Sequence, residues 1–498
     1  MSAPAPAEPK RSLRLHFLIT AGGMVFTQLA SFLALTLVAR GLGPAEQGRF
    51  QLVVALAVGV VSLAKLGLDE AAAYLLPKWK VEAPAERPAA ILRLLGAPLL
   101  AAAVLAGLVA LAAEPLAARV FAQPELAPSL RATPALALGL VFLLMSMAVL
   151  RGLGRTDLRA YVGYYGVGAL FLAGVAWLWR EGMALGAVLD LRAATWILCG
   201  IAGAACLLPA LRGPREPLQP ARRRELYTFG AMAAGLSFLT YVLDQPIVDL
   251  AVLGHFESPH VVGVYAASYR VGALVSVALT AMTVVAPARF AEALARGDIE
   301  TVRAQYEFAS AWLFRLGVCA FLGLFYFGPF ILELFGPEYP EGFPYLLCFA
   351  GGSAFAVCCG LNTPLLLAAG RLRVELILGA TGAAALLGLG ILLSRSFGAL
   401  GMAAASGGVI ALLGLARALY VRRALLPPPA QPRADGVRFA AVALPLVLAF
   451  ASAGLADLLP EGRWAPCYRF ALVAAAFWSG VAAAEAMRRA RAARGPAP

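Results

Sequence analysis

Apolar residues recur along this chain in stretches of about 20, each closed by a short polar gap, and that spacing constrains the fold more than any other feature. At 1.5 Å per residue, about 20 helical residues cross roughly 30 Å of hydrocarbon. Lipid offers backbone groups no partners, so a spanning segment must be a helix or part of a closed barrel. The continuous apolar runs, without period-two alternation, select helices. Charged residues make up 14% of the chain, against about 25% in soluble domains. That excludes an ordinary soluble enzyme, and 61% hydrophobic residues exclude a disordered chain. The expected fold class is an all-α polytopic membrane protein with about 14 transmembrane helices. They are expected near 17–38, 50–72, 91–113, 132–150, 161–179, 193–211, 226–253, 262–287, 308–332, 343–368, 374–394, 399–421, 437–457 and 468–487. The run from Phe17 to Val38 is too long for a signal-peptide core and reads as an uncleaved first helix.

The net charge of +13 could suggest nucleic acid, but no basic patch is interleaved with aromatics. Instead the basic residues alternate from gap to gap. With the N-terminus cytoplasmic, 28 of the 41 Lys and Arg fall in inner segments and 9 in outer ones. The remainder, Lys65, Arg93, Arg270 and Arg315, fall inside spans. This bias supports an even helix count with both termini cytoplasmic, and no nucleic-acid partner. Seven scattered Cys without a CxxC pair, and three His, offer no metal or cofactor site. There is no GxxxxGK[ST] loop, and the gaps are too short for a nucleotide-binding domain. Transport rather than catalysis is therefore expected, driven by an ion gradient, the membrane potential or the substrate's own gradient. The coupling ion and the oligomeric state are not legible.

Two Pro-rich basic segments, 212–225 and 422–436, divide the chain. They separate an N-terminal lobe (1–211) from a second lobe (226–421), and both from a final helix pair (437–487) with a basic tail (488–498). A weak internal repeat relates the first hairpin of each lobe. LTLVARGLGPAEQGRFQLVVAL and DLAVLGHFESPHVVGVYAASYRV each carry a Leu-Gly pair, a polar turn, and Gly plus an aromatic, at Gly48 and Phe50 and at Gly263 and Tyr265. Aligned on Gly43 and Gly254, the two turns differ in length. Both start from the cytoplasmic side, so the repeats are expected to be parallel.

Charges inside spans mark candidate sites, because each survives only when paired or facing water. Asp244 in the seventh helix and Arg270 in the eighth lie at matched depth. They read either as a static ion pair or as a cavity site in which Arg270 contacts an anion. Pro246 bends the same helix just beyond Asp244 and is the candidate gating kink. Asp249 lies closer to the outer face and is expected to touch water. Tyr241, Tyr265 and Tyr269 add rings and hydroxyls suited to sugars. A second charged cluster, Lys65, Asp69 and Glu70, ends the second helix; Lys65 and Asp69 share a face, so a local pair explains them without a ligand. Arg315 and Glu375 lie near inner boundaries.

The stretch VARGLGPAEQGRFQLVVALAVGVVSLAKLGLDEAAAYLLPK resembles the first hairpin of the bacterial polysaccharide exporter (O-antigen flippase) family, within the multidrug/oligosaccharidyl-lipid/polysaccharide superfamily. VLDQPIVDLAVLGHFESPHVVGVYAASYRVG resembles that family's seventh and eighth helices, although Gln245 stands where the family often has Arg. LELFGPEYPEGFPYLLCFAGG and NTPLLLAAGRLRVE are similar to its ninth-to-eleventh helix region, with Gly336, Tyr339 and Gly370-Arg371 at matching positions. The resemblance implies two six-helix lobes in a parallel pseudo-twofold repeat, a V-shaped central cavity lined by helices one, two, seven and eight, and a C-terminal helix pair. It implies a flippase that moves undecaprenyl-diphosphate-linked oligosaccharides to the outer leaflet of the bacterial inner membrane by alternating access. Arg270 would receive the diphosphate, with Asp244 holding it until the anion arrives. Implied partners are the lipid-linked oligosaccharide, membrane lipids, and the polymerase and chain-length proteins of polysaccharide assembly. Three other readings stay open: a peptidoglycan lipid II flippase, a cation-coupled multidrug exporter, and a non-transporting scaffold for envelope-polymer assembly.

Overall fold

The computed structural model describes residues 10–212, 216–244, 246–426, 452 and 465–493. The described residues are helical throughout, with no β-strand among them, and ten of the helices are long and apolar enough to cross a membrane. Two of these ten bend at a glycine. Helix α1 (Lys10–Ala64) contains Gly43 at φ 76°, and Pro44 restarts the helix behind it. Glycine enters that conformation without a Cβ clash, and proline suits a first helical turn, so Gly43-Pro44 makes a hairpin without interrupting the run. The span expected at 437–457 lies outside the described residues, Ser452 apart, as does most of the linker 422–436.

The second span, expected to reach residue 72, ends earlier. The chain leaves α1 at Ala64 and turns through Leu66 (φ 53°) and Gly67 (φ 66°) into α2 (Leu68–Glu82). Helix α2 buries Leu68, Ala71, Ala72, Leu75, Leu76 and Trp79, one stripe at helical spacing, and leaves Asp69, Glu70 and Lys78 off it. Helices α3 (Arg87–Leu111), α4 (Thr133–Gly152), α5 (Thr156–Glu181) and α6 (Leu185–Ala205) follow. In lipid there is little hydrophobic drive between helices, so close packing must hold them. Small residues supply it: a Cβ on Gly152 would overlap the carbonyl of Ala72, and one on Gly200 would press on Phe142 at 2.7 Å. Val141, Met145 and Val149 of α4 lie fully buried in the resulting core with Leu75, Leu76 and Ile91.

The seventh span is broken where Pro246 stands. Helix α7 (Pro220–Asp244) stops, Pro246 sits at φ −76°, ψ 39°, and α8 (Ile247–Phe256) begins after it. The eighth span comprises α9 (Pro259–Gly272), a short 3-10 turn, and α10 (Val277–Ala295). Then come α11 (Ile299–Glu333), α12 (Phe343–Cys358), α13 (Asn362–Ala368) and α14 (Leu372–Tyr420), the last bent at Gly398 (φ 59°). Helix α15 (Ala465–Ala493) closes the described chain.

These elements form two compact units. The first takes the described residues among 1–267, 334–339 and 379–402; the second takes those among 268–333, 340–378 and 403–498. In the second, α12 and α14 meet where Gly352 faces Gly407, each without room for a Cβ. Helix α15 lays Val473, Phe477 and Val481 against Phe314, Val318 and Leu322 of α11, and Glu485 takes Arg315 at 2.5 Å. Arg315 therefore anchors the last helix rather than standing alone at a boundary.

Candidate functional site

Within the first unit, the hairpin at Gly43-Pro44 and the one between α8 and α9 pack directly on each other. A Cβ on Gly48 would overlap the carbonyl oxygen of Pro259 and come within 2.9 Å of Gly263 N. A Cβ on Gly263 would overlap the carbonyl oxygen of Pro44 and come within 3.0 Å of Gly48 N. The contact is thus reciprocal, and it corrects the repeat read from the sequence. The matching anchors are Pro44 and Pro259, each followed at the fourth residue by the packing glycine. Aligned on the prolines, the turns no longer differ in length.

The reciprocity extends to the next loops. Phe121-Ala122-Gln123-Pro124-Glu125 and Phe335-Gly336-Pro337-Glu338 are a second related pair, both with positive φ after the phenylalanine. The earlier loop reaches the later hairpin: Gln123 Nε2 donates to Gly254 O at 3.2 Å, and His255 Nδ1 lies 2.7 Å from Val120 O. The later loop reaches the earlier hairpin: Tyr339 donates to Ala39 O at 3.5 Å, and Phe335 sets its ring edge-on to Phe32 at 5.4 Å. Each loop also binds its own hairpin through its glutamate, Glu125 with Arg49 and Glu338 with His260 at 2.8 Å. Two hairpins and two loops thus form a clasp at one end of the first unit.

The second charged cluster lies on the break between α1 and α2. Lys65 Nζ is 2.6 Å from Asp69 Oδ2, with only 3% of the lysine side chain exposed. The Tyr241 ring of α7 lies beneath the ammonium, 4.4 Å from its centroid. Helix α7 comes this close because Gly67 has no side chain: a Cβ there would overlap Gly230 O. Arg151 joins from α4, with Glu70 at 3.1 Å and the Asp69 carbonyl at 3.3 Å. Asp69 Oδ1 is buried with no hydrogen-bond partner. Arg151 escaped the sequence reading because it ends a span and so passed for an ordinary inner-face charge. The linker after α6 docks nearby, where nearly buried Glu86 accepts from Gln219 N at 3.0 Å and pairs with Arg222.

Of the other residues singled out by sequence, Tyr265 is fully buried and donates to Asp249 Oδ2 at 2.7 Å. Asp249 is 1% exposed, so it does not open to water as expected. Tyr269 packs edge-on against Phe349 at 5.0 Å. Arg270 is exposed on α9. The Asp244 side chain lies outside the described residues. Glu375, 4% exposed, is bound by Arg417 at 2.6 Å, and Tyr306 donates to Asn362 at 2.7 Å. The first bond ties the two limbs of α14 to each other across its bend, and the second ties α13 to α11. No group of His, Cys, Asp and Glu able to hold a metal occurs among the described residues.

Residues 16–292 match the model of a family described as polysaccharide biosynthesis protein, which is more than half of the chain. The chain belongs to that family. No curated protein sequence matches it significantly. Among solved structures, the lipid II flippase MurJ in an inward closed conformation is similar over 93% of this chain and 98% of its own, with a TM-score of 0.74 at 13% identity. A multidrug resistance MATE transporter of the MOP superfamily, inward-facing, is similar over 80% and 94%, at 0.65 and 15% identity. The Vibrio cholerae MATE transporter VcmN in its bent form is similar over 83% and 96%, at 0.57 and 19% identity. At such identities the likeness is one of fold. The family is thus that of the polysaccharide biosynthesis proteins, and the all-helical polytopic fold is one shared with these transporter structures.

Proposed function

We propose that this member of the family is a flippase for undecaprenyl-diphosphate-linked oligosaccharide repeat units. It moves them from the inner to the outer leaflet of a bacterial inner membrane for cell-surface or extracellular polysaccharide, with both termini cytoplasmic. The observation that carries the reading is the reciprocal clasp. Closing one end of a pathway through contacts that related hairpins give and receive suits a protein that opens its two ends in turn, and a rigid enzyme scaffold has no use for it. In the proposed topology the clasp is the outer closure, and the broken helices at Leu66-Gly67 and Pro246 let the inner segments move. Irregular backbone near membrane depth is tolerated where it is buried in protein or lines a cavity.

The head group needs cations for its diphosphate and rings or hydroxyls for its sugars. Arg270 is the proposed diphosphate contact, with Asp244 as the carboxylate that yields to the anion. Tyr241 and Tyr269 are proposed sugar contacts. Tyr265, already bonded to Asp249, would join only if that bond opened.

The test is an inducible depletion strain, with polyprenyl-linked sugars assigned to their leaflet by mass spectrometry and a membrane-impermeant sugar modification. Completed repeat units should build up facing the cytoplasm, relieved by the native chain. Lipid II accumulating instead would turn the reading to peptidoglycan. Drug sensitivity with unchanged leaflets would turn it to multidrug export, and loss of polymer with unchanged leaflets to a scaffold.

A further inference from the structure

The two halves of the chain contain the same turn twice, once with an unusual addition. At Gly154-Arg155 and at Gly370-Arg371 the glycine has positive φ, 77° and 69°. The amides of Gly154 and Arg155 donate back to Arg151 O and Leu150 O at 3.0 and 2.9 Å; those of Gly370 and Arg371 donate to Leu367 O and Leu366 O at 3.0 and 2.9 Å. After Gly370 the chain starts a regular α-helix, α14. After Gly154 it makes one α-helical turn and then a π-helix of seven residues, Ala160–Gly166. Such segments are rare, well under 1% of residues, and concentrate at functional sites. The second half shows that the fold does not require it.

The same comparison isolates the side chains. Tyr161, Tyr164 and Tyr165 stand where the second half has Ile377, Ala380 and Thr381, and Arg159 stands where it has Glu375. Glu375 has its counterion in Arg417, whereas Arg159 meets no carboxylate among the described residues. One of its terminal nitrogens donates to the Tyr164 hydroxyl at 3.1 Å, and its Nε is buried with no acceptor. The rings of Phe26, Tyr165 and Tyr161 form a short ladder with centroids 5.4 and 5.9 Å apart, and Tyr161 is 53% exposed. Gly22 and Gly23 of α1 make room for it, since a Cβ on either would press on Tyr165 at about 3 Å. On the far side, a Cβ on Gly163 would overlap Met147 of α4, so the glycine lets the widened turn seat.

We propose that this turn is a binding site for a glycosyl diphosphate, with the sugar ring on Tyr161 and Tyr165 and a phosphate oxygen on Arg159. A saccharide presents C–H faces to an aromatic ladder and hydroxyls to its phenols. A guanidinium that no carboxylate neutralises calls for an anion at its terminal nitrogens. The choice of ligand rests on the transport reading, but the site is separate from Arg270. The ligand's chemistry is common to a polyprenyl-diphosphate sugar in the membrane and to a nucleoside-diphosphate sugar in solution.

The full chain in lipid nanodiscs is titrated with two probes, a C15 polyprenyl-diphosphate N-acetylglucosamine and UDP-N-acetylglucosamine, and binding is read by native mass spectrometry. The lipid-linked probe should bind through the exposed ring and a charge-assisted hydrogen bond. Tyr161→Ala and Arg159→Gln should therefore each weaken it by about 10-fold or more, while Tyr161→Phe, which keeps the ring, stays within about 2-fold. Preference for the soluble probe would keep the site and assign it to the aqueous sugar donor. Equal binding by native chain, Tyr161→Ala and Arg159→Gln, or no binding of either probe, overturns the proposal; the tyrosines are then interfacial anchors only. The leaflet assay separates the two readings. Normal flipping by variants that bind normally removes this site and spares the flippase; probe binding lost in the variants, with leaflets unchanged on depletion, does the reverse.

Discussion

Replacing Gly48 by Ala tests the clasp with a single methyl group. The new Cβ would overlap the Pro259 carbonyl oxygen. An ordinary C···O contact needs about 3.3 Å, so the two hairpins must part by more than about 1 Å. Neither collision partner is a side-chain tip that could swing away; both are backbone inside helices. Parting the hairpins strains the exchanged bonds from Gln123 to Gly254, His255 to Val120 and Tyr339 to Ala39, and the Phe32–Phe335 ring pair. At about 0.5–1.5 kcal/mol for each, their loss shifts the balance by about 2–6 kcal/mol, roughly 30-fold or more against the closed form. Spin labels at the exposed Ala45 and Ser258, one on each hairpin, should give one narrow distance distribution in the native chain and a longer, broader one in Gly48→Ala. Gly263→Ala should do the same. The double variant should be no worse than either alone, because one collision already opens the contact. Gly96→Ala, where a Cβ meets nothing within 4 Å, is the neutral control. An unaltered distance in both single variants, with transport intact, would refute the clasp as a closure.

Three further outcomes are expected. Lys65→Met should lower thermal stability by about 2–4 kcal/mol, since it strands Asp69 beside an already unpartnered Oδ1, and Lys65→Met with Asp69→Leu should recover part of the loss; a double variant as unstable as the single would contradict this. Glu86→Ala should free the segment from 216 to 225, seen as faster proteolysis there with the helices after it intact. Asp298 accepts from the Thr301 amide and hydroxyl at the start of α11, and these hydrogen bonds hold its carboxyl below the usual value. The contribution is therefore present above the unfolded value near 3.8 and lost as pH falls through the lower folded value; protection of the Thr301 amide, relative to its intrinsic exchange rate, should fall over that acid range, and should not change there in Asp298→Ala.

Membrane helices and their rough positions were legible because apolar length is set by bilayer thickness, whatever the neighbours. Gly48 and Gly263 were legible as hairpin glycines, but not as each other's contact, since nothing in a sequence says which two backbones touch. The early end of the second span was hidden because Leu66-Gly67 sits inside an apolar run, and only the approach of Gly230 requires the turn there. Asp249 passed for a solvated residue because its partner, Tyr265, lies on the next helix. The π-turn at Ala160–Gly166 left no trace at all, as hydropathy does not register one extra residue per turn.

The clasp takes its hydrogen bonds on backbone oxygens. Ala39 O and Gly254 O, each five residues before its proline, are the same acceptor used twice, while the donors have become Gln123 in one loop and Tyr339 in the other. No substitution removes a carbonyl. Such a joint keeps working while nearly every side chain around it changes, provided the two glycines stay small. Likeness of this kind lies in the path of the main chain, where the letters need not agree.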